Sequence, residues 1–173
     1  MMAMVILMAL ATIGFVIGGA EANLVVSPVA AISDGIDGFT ALDGANGVAI
    51  AEISGRTYAV VTARTDDGVQ IIDITVPASP VPVAAATDGV DGFTALNVAR
   101  NVAIAEISGR TYAVVTSGDF YNGVQIIDIT VPASPVPVAE FDTLGGDGAG
   151  GVAIAEISGR TYAVVTVRTD DDV

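Results

Sequence analysis

The sequence predicts an all-β chain built from tandem four-stranded repeats, and three observations predict it. The string VAIAEISGRTYAVVT occurs at 48–62, 102–116 and 152–166 without a substitution, and GVQIIDITVPASPVPVA occurs unchanged at 68–84 and 123–139. Successive copies stand 54, 50 and 55 residues apart, and self-similarity at a fixed period marks solenoids, propellers and arrays. Each complete unit also holds four short runs rich in Val, Ile, Thr and Tyr, punctuated by Gly and Pro, with no helical periodicity beyond the N-terminal stretch. Finally, the runs are apolar on both faces. Val60-Val61 and Ile71-Ile72 place neighbours on opposite sides of a strand, so each sheet must have protein above and below it.

Residues 1–22 read as a secretory signal peptide or signal anchor. Met1 to Ala20 carries no charge, and Ala20 and Ala22 fit an A-x-A cleavage site that would start the mature chain at Asn23. Uncleaved, the segment is an apolar helix just long enough to span a bilayer. Residues 23–46 hold an outer strand and a connector, because Pro28-Val29 stands 54 residues before Pro82-Val83. The first complete unit covers 47–100. Its runs VAIAEI and RTYAVVT flank Ser54-Gly55, a tight hairpin in which Gly55 takes positive φ. VQIIDI at 69–74 is the third strand. Pro77, Pro80 and Pro82 confine the fourth, at 83–87, to a sheet edge. The second unit covers 101–150, and a third, 151–173, holds only the first two strands.

Four short strands per unit, each sheet covered by its neighbours, describe β-propeller blades. A flat two-sheet sandwich is the runner-up, and a parallel β-solenoid stands third. The expected fold is thus an incomplete ring, two full blades plus partial ones, preceded by an N-terminal apolar helix. About four blades are the fewest that close a ring. A truncated gene, an open arc and a unit completed by other copies are the readings left open.

The stretch GRTYAVV…GVQIIDITVPASPVPVA resembles the LVIVD repeat family, with IIDIT at 71–75 and 126–130 in place of its name-giving core. It is also similar to YVTN-type blades. The resemblance covers nearly everything after residue 24 and implies a β-propeller-like fold in secreted or cell-surface proteins, with little assigned chemistry.

Composition limits the partners. Six basic residues, all arginine, against twenty acidic ones give a net charge of −14. Nucleic acid and anionic lipid both require a positive patch, so nucleic acid is excluded and membrane contact is confined to the N-terminal segment. The chain has no Lys, His, Cys or Trp, which removes the usual nucleophile–base pairs and points to a non-catalytic protein. Protein or surface-glycan binding is the expected activity, with self-association through open sheet edges. The alternative is a fragment of a propeller hydrolase or lyase whose active site lies in other blades.

Candidate sites follow from repetition and its breaks. Asp34, Asp37, Asp88 and Asp91 sit in paired D-G-x-D-G connectors, with Asp43, Asp66, Asp67, Asp119 and Asp142 adding loop acids. Calcium is the metal such oxygen-rich loops would take, although Asp-Gly is first a turn dipeptide. Asp73 and Asp128 are expected to accept backbone N–H bonds from the turn after their strand. Glu52, Glu106 and Glu156 are expected to pair with Arg56, Arg110 and Arg160 of their own hairpins. Tyr58, Tyr112 and Tyr162 read as packing residues. Asp119, Phe120 and Tyr121 break the repeat with an aromatic loop, the best candidate for a specific binding contact.

Overall fold

The computed structural model describes residues 4–12, 24–118, 123–142 and 148–168. Those residues form twelve strands and no helix. A two-stranded antiparallel sheet pairs β1 (Met4–Thr12) with β2 (Leu24–Ser33). The first repeat is a four-stranded antiparallel meander of β3 (Ala45–Ile53), β4 (Arg56–Ala63), β5 (Gly68–Asp73) and β6 (Val81–Thr87). The second repeats it with β7 (Ala99–Ile107), β8 (Arg110–Ser117), β9 (Val124–Asp128) and β10 (Val136–Phe141). The last sheet has two strands, β11 (Ala149–Ile157) and β12 (Arg160–Val167).

Over Met4–Thr12 the chain forms a strand and not the apolar helix expected from composition, and the rest of that N-terminal stretch lies outside the described residues. β2 corresponds to β6, an outer strand that needs a partner along its inner edge, and Val5-Ile6 are β-branched residues suited to supply one. Among the described residues no helix is long and apolar enough to cross a membrane.

Each hairpin turns as the Ser-Gly dipeptide requires. Ser54 and Gly55 have φ of 53° and 75°, and the pairs at 108–109 and 158–159 repeat this closely. Positive φ at both central positions is the type I′ turn whose twist matches the flanking strands. Nothing lies within 4 Å of a Cβ added at Gly55. Gly55→Ala is therefore expected to cost about 1 kcal/mol through backbone conformation alone, measurable as a lowered urea midpoint at unchanged slope.

The sheets stack face to face, and the core lies between them. Ala59, Val61 and Ile72 of the first full sheet meet Ile32 of β2, with Phe39 and Leu42 of the connector in the same cluster. Tyr58, Val60, Val69 and Ile71, on its other face, meet Val102, Val115 and Ile127 of the second sheet, with Phe93 and Leu96 of the next connector in the seam. Val114 and Val124 then meet Ala149 of the last sheet. The double-faced apolar strands are thus explained: β5 is buried along its whole length. Thr62 couples the stack through the backbone. Its Oγ1 accepts from Gly47 N at 2.8 Å and donates to the Arg100 carbonyl of the next sheet at 2.9 Å. Thr116 does the same toward Gly150 O at 2.6 Å. Gly47 is glycine because a Cβ there would sit 2.7 Å from Arg100 O.

Candidate functional site

The D-G-x-D-G connectors spend their first acid on their own loop. Asp34 Oδ1 accepts Leu42 N at 3.1 Å, and Asp88 Oδ1 accepts Leu96 N at 2.8 Å. Asp37 and Asp91 hold positive φ of 53° and 50° at exposed turn positions. Asp66 Oδ2 accepts Asp43 N at 2.7 Å, and Asp67 Oδ1 accepts Val98 N at 2.7 Å. Burial pushes the Asp66 carboxyl above its ordinary value; the Asp43 N–H opposes this, while the Asp34 and Asp43 carboxylates add to it. Among the described residues, no group of three or more acidic, His or Cys side chains is placed to hold a metal ion. The structure therefore places the four proposed calcium ligands in two separate turns that close on themselves.

Two residues that sequence reasoning passed over organise these connectors. Gln70 is buried, and its Oε1 accepts Thr40 N at 3.1 Å and Ala41 N at 3.2 Å while its Nε2 donates to Ala84 O at 2.8 Å. Gln125 repeats this with Thr94 N, Ala95 N and Ala139 O at 3.2, 3.2 and 2.9 Å. One amide thus ties a connector to the outer strand of the same sheet. The available signal was a lone amide inside a strand buried on both faces, since a buried polar group needs partners.

Asp73 and Asp128 accept the turn N–H bonds expected of them, from Thr75 and Thr130, each at 2.9 Å. Arg56 and Arg110, however, pair with these aspartates where Glu52 and Glu106 were expected. Arg56 Nη2 lies 2.5 Å from Asp73 Oδ2, and Arg110 Nη1 lies 2.8 Å from Asp128 Oδ2. Register is the reason. Glu52 stands opposite Thr57, whose hydroxyl donates to it at 2.8 Å, and Tyr58 stands opposite Asp73. Arg56, two residues before Tyr58, shares its face and reaches across to β5.

The Thr75 and Thr130 hydroxyls, aided by their N–H groups and the arginines, hold both aspartates below the ordinary carboxylate value against the opposing effect of burial. A depressed folded pKa contributes stability that is complete above the unfolded value, near 3.9, and is lost as pH falls through the folded one. Asp73→Asn/Asp128→Asn is expected to be less stable near neutrality by about 1–3 kcal/mol. It should also lose less stability than the parent when acidified below about pH 4. Thermal melts across that range check both.

Asp119, Phe120 and Tyr121 lie outside the described residues. The repeated tyrosines trace a gradient instead: Tyr58 is buried, Tyr112 half-buried and Tyr162 exposed. The gradient follows how far the next sheet covers that face, and the stack has an uncovered face at each end. Val164 of β12 is 60% exposed, whereas Val60 at the same repeat position is fully buried. At the other end, Val48 of β3 is 58% exposed against 4% for Val102. A groove of about 300 Å³ runs beside β11–β12, lined by Tyr112, Val114, Ile126, Val138 and Ile154 among others. These apolar faces, and not a titratable cluster, are the most developed candidate interaction surface.

The chain matches no known protein-family model and no curated protein.

Proposed function

We propose that the chain is a non-catalytic repeat module of the β-propeller type, of the kind its LVIVD-like motifs imply. It works by contact, in protein or glycan binding, adhesion or envelope structure, as a secreted or surface-displayed protein. The observation carrying this reading is the face-to-face stack of repeated antiparallel sheets, with each apolar connector wedged into a seam. Asp34, Asp66, Asp67, Asp73, Asp88 and Asp128 all accept hydrogen bonds from backbone N–H groups, which favours structural roles over acid–base chemistry.

Export and strand β1 compete for the same residues. Cleavage after Ala22 yields a chain that begins at Asn23 and lacks β1, whereas retention leaves Met4–Thr12 available to the sheet. Expression of the full chain with a C-terminal tag, followed by protease shaving of intact cells and intact-mass measurement, tests the placement. Loss of the tag to external protease supports a surface position. A tag that stays protected in the cell pellet overturns the extracellular reading, and the measured mass states which N-terminus is present.

A further inference from the structure

We infer that the two half-sheets of this chain are complementary, and that β11–β12 of one copy joins β1–β2 of a second copy in a single four-stranded sheet ordered β11-β12-β1-β2. The inference rests on the propeller-type reading of the sheets. It describes the chain with residues 4–12 retained.

The complementarity is visible in register. In the full sheets the outer pair is β5–β6 or β9–β10, and a bulge falls at one place: Ile72 pairs Pro82 and Ile71 pairs Ala84, while Ile127 pairs Pro137 and Ile126 pairs Ala139. In β1–β2, Met8 pairs Pro28 and Leu7 pairs Ala30. The skipped residues are Val83, Val138 and Val29. β1–β2 is therefore the outer half of a repeat sheet, with Leu7 at the position of Ile71 and Ala9 at that of Asp73. β11–β12 is the inner half, since its pairs match those of β3–β4, Glu156 with Thr161 corresponding to Glu52 with Thr57. Each half holds what the other lacks.

The uncovered faces lie where this completion would cover them. Val48 and Ile50 of β3 are exposed, while Val102 is buried and Ile104 partly so against Tyr58 and Val60 of the preceding sheet. The side chains that would cover Val48 and Ile50 are the counterparts of those two, Tyr162 and Val164, which are themselves exposed. Phe141 is 59% exposed where Ala86 of the first sheet is 6% exposed. It lies on β10, and among the described residues the sheet that follows has two strands, β11 and β12. Thr166 accepts Gly151 N at 2.7 Å, as Thr62 accepts Gly47 N. By repeat equivalence its hydroxyl would donate to the Asn46 carbonyl of the second copy, as Thr62 donates to Arg100 O.

Charge allows the junction despite a net −14. β1 carries no acidic or basic side chain, and β12 carries only Arg160. Neither edge has the lysine or proline that commonly protects an open strand. The connector agrees as well. The third repeat lacks the Phe-Thr-Ala-Leu segment that Gln70 and Gln125 hold in the other two, and the corresponding position of β1 is Ile6, with no amide.

The stoichiometry is set by counting. The described residues contribute two whole sheets and two halves, equal to three sheets, and propeller rings hold about four to eight. Three sheets fall below that range and the nine of three copies exceed it. Two copies give a six-sheet ring with both junctions closed by one two-fold axis.

The chain has no cysteine, so the register can be tested by cross-linking. If β12 pairs β1 as β4 pairs β5, Val164 stands opposite Leu7, as Val60 stands opposite Ile71. Full-length Val164→Cys and Leu7→Cys chains, co-refolded and mildly oxidised, are expected to give a disulfide-linked heterodimer. Val164→Cys with Ile6→Cys, one position out of register, should link several-fold less. Light scattering of the parent chain should give one species at twice 17.3 kDa, and Val164→Asp should halve it. A monodisperse monomer with β-sheet circular dichroism overturns the completed sheet while leaving the propeller-type reading intact. A predominantly helical spectrum overturns both. Equal linking of the two cysteine pairs, or polymers that grow with concentration, overturns the closed two-copy ring.

Discussion

Replacing Gln125 by leucine is expected to cost about 3 kcal/mol or more of folding stability, read from urea unfolding at unchanged slope. The side chains are similar in size, so the loss is not one of volume. It arises because Thr94 N, Ala95 N and Ala139 O lose their partner in a buried seam. Each group left unsatisfied costs about 1–3 kcal/mol, and leucine's gain in apolar burial offsets only part of the sum. Gln70→Leu should cost a similar amount, because its three bonds have the same pattern. A glutamate at 125 supplies a sharper test. Burial would raise its folded pKa above the unfolded value of about 4.3. The protonated acid can both accept from the connector and donate to Ala139 O, whereas the carboxylate can only accept. Gln125→Glu should therefore be strongly destabilised near neutrality and approach the parent as pH falls through the raised pKa. A cost under about 1 kcal/mol for Gln125→Leu would mean that solvent reaches the connector and the clamp carries little.

The repeated strands were legible because they are specified several times over. Val, Ile and Tyr enrichment, a Ser-Gly turn and flanking prolines agree in each full unit, and the observed positive φ at Ser54 and Gly55 follows from the turn chemistry. Asp73 was legible because the acid and the N–H it accepts are two residues apart. The arginine partner was not. Choosing between Glu52 and Asp73 requires the register of β3, β4 and β5 together, and a shift of one residue exchanges the faces. Gln70 was hidden for a related reason: its three partners lie 29, 30 and 14 residues away, on a connector and an outer strand that only the folded sheet brings to it. Over Met4–Thr12 a strand stands where a helix was expected, because apolar composition alone does not separate a leader helix from a strand. The distinguishing fact is the open inner edge of β2, which is a property of the fold.

The same repeated geometry locates where volume matters most. Leu96→Ala is expected to cost about 3–5 kcal/mol, in the upper part of the range for a buried leucine, and Leu42→Ala a comparable amount. Both leucines are fully buried. Leu96 lies in the seam with Val60, Val69 and Ile71 on one side and Val102, Val115 and Ile127 on the other, so its removal takes contacts from two sheets at once. The site has little means to collapse. Leu96 N is fixed by Asp88 Oδ1 at 2.8 Å, and the residues just before it are fixed by Gln125, so the backbone cannot move inward to fill the void, and an unrelieved cavity is the costlier kind. Val90 belongs to the same connector but is exposed, and Val90→Ala should change stability by no more than about 0.5 kcal/mol. Chemical denaturation of the two variants side by side separates a seam held by its leucine from a loop that merely crosses the surface. Equal effects would mean that the connector does not anchor one sheet to the next.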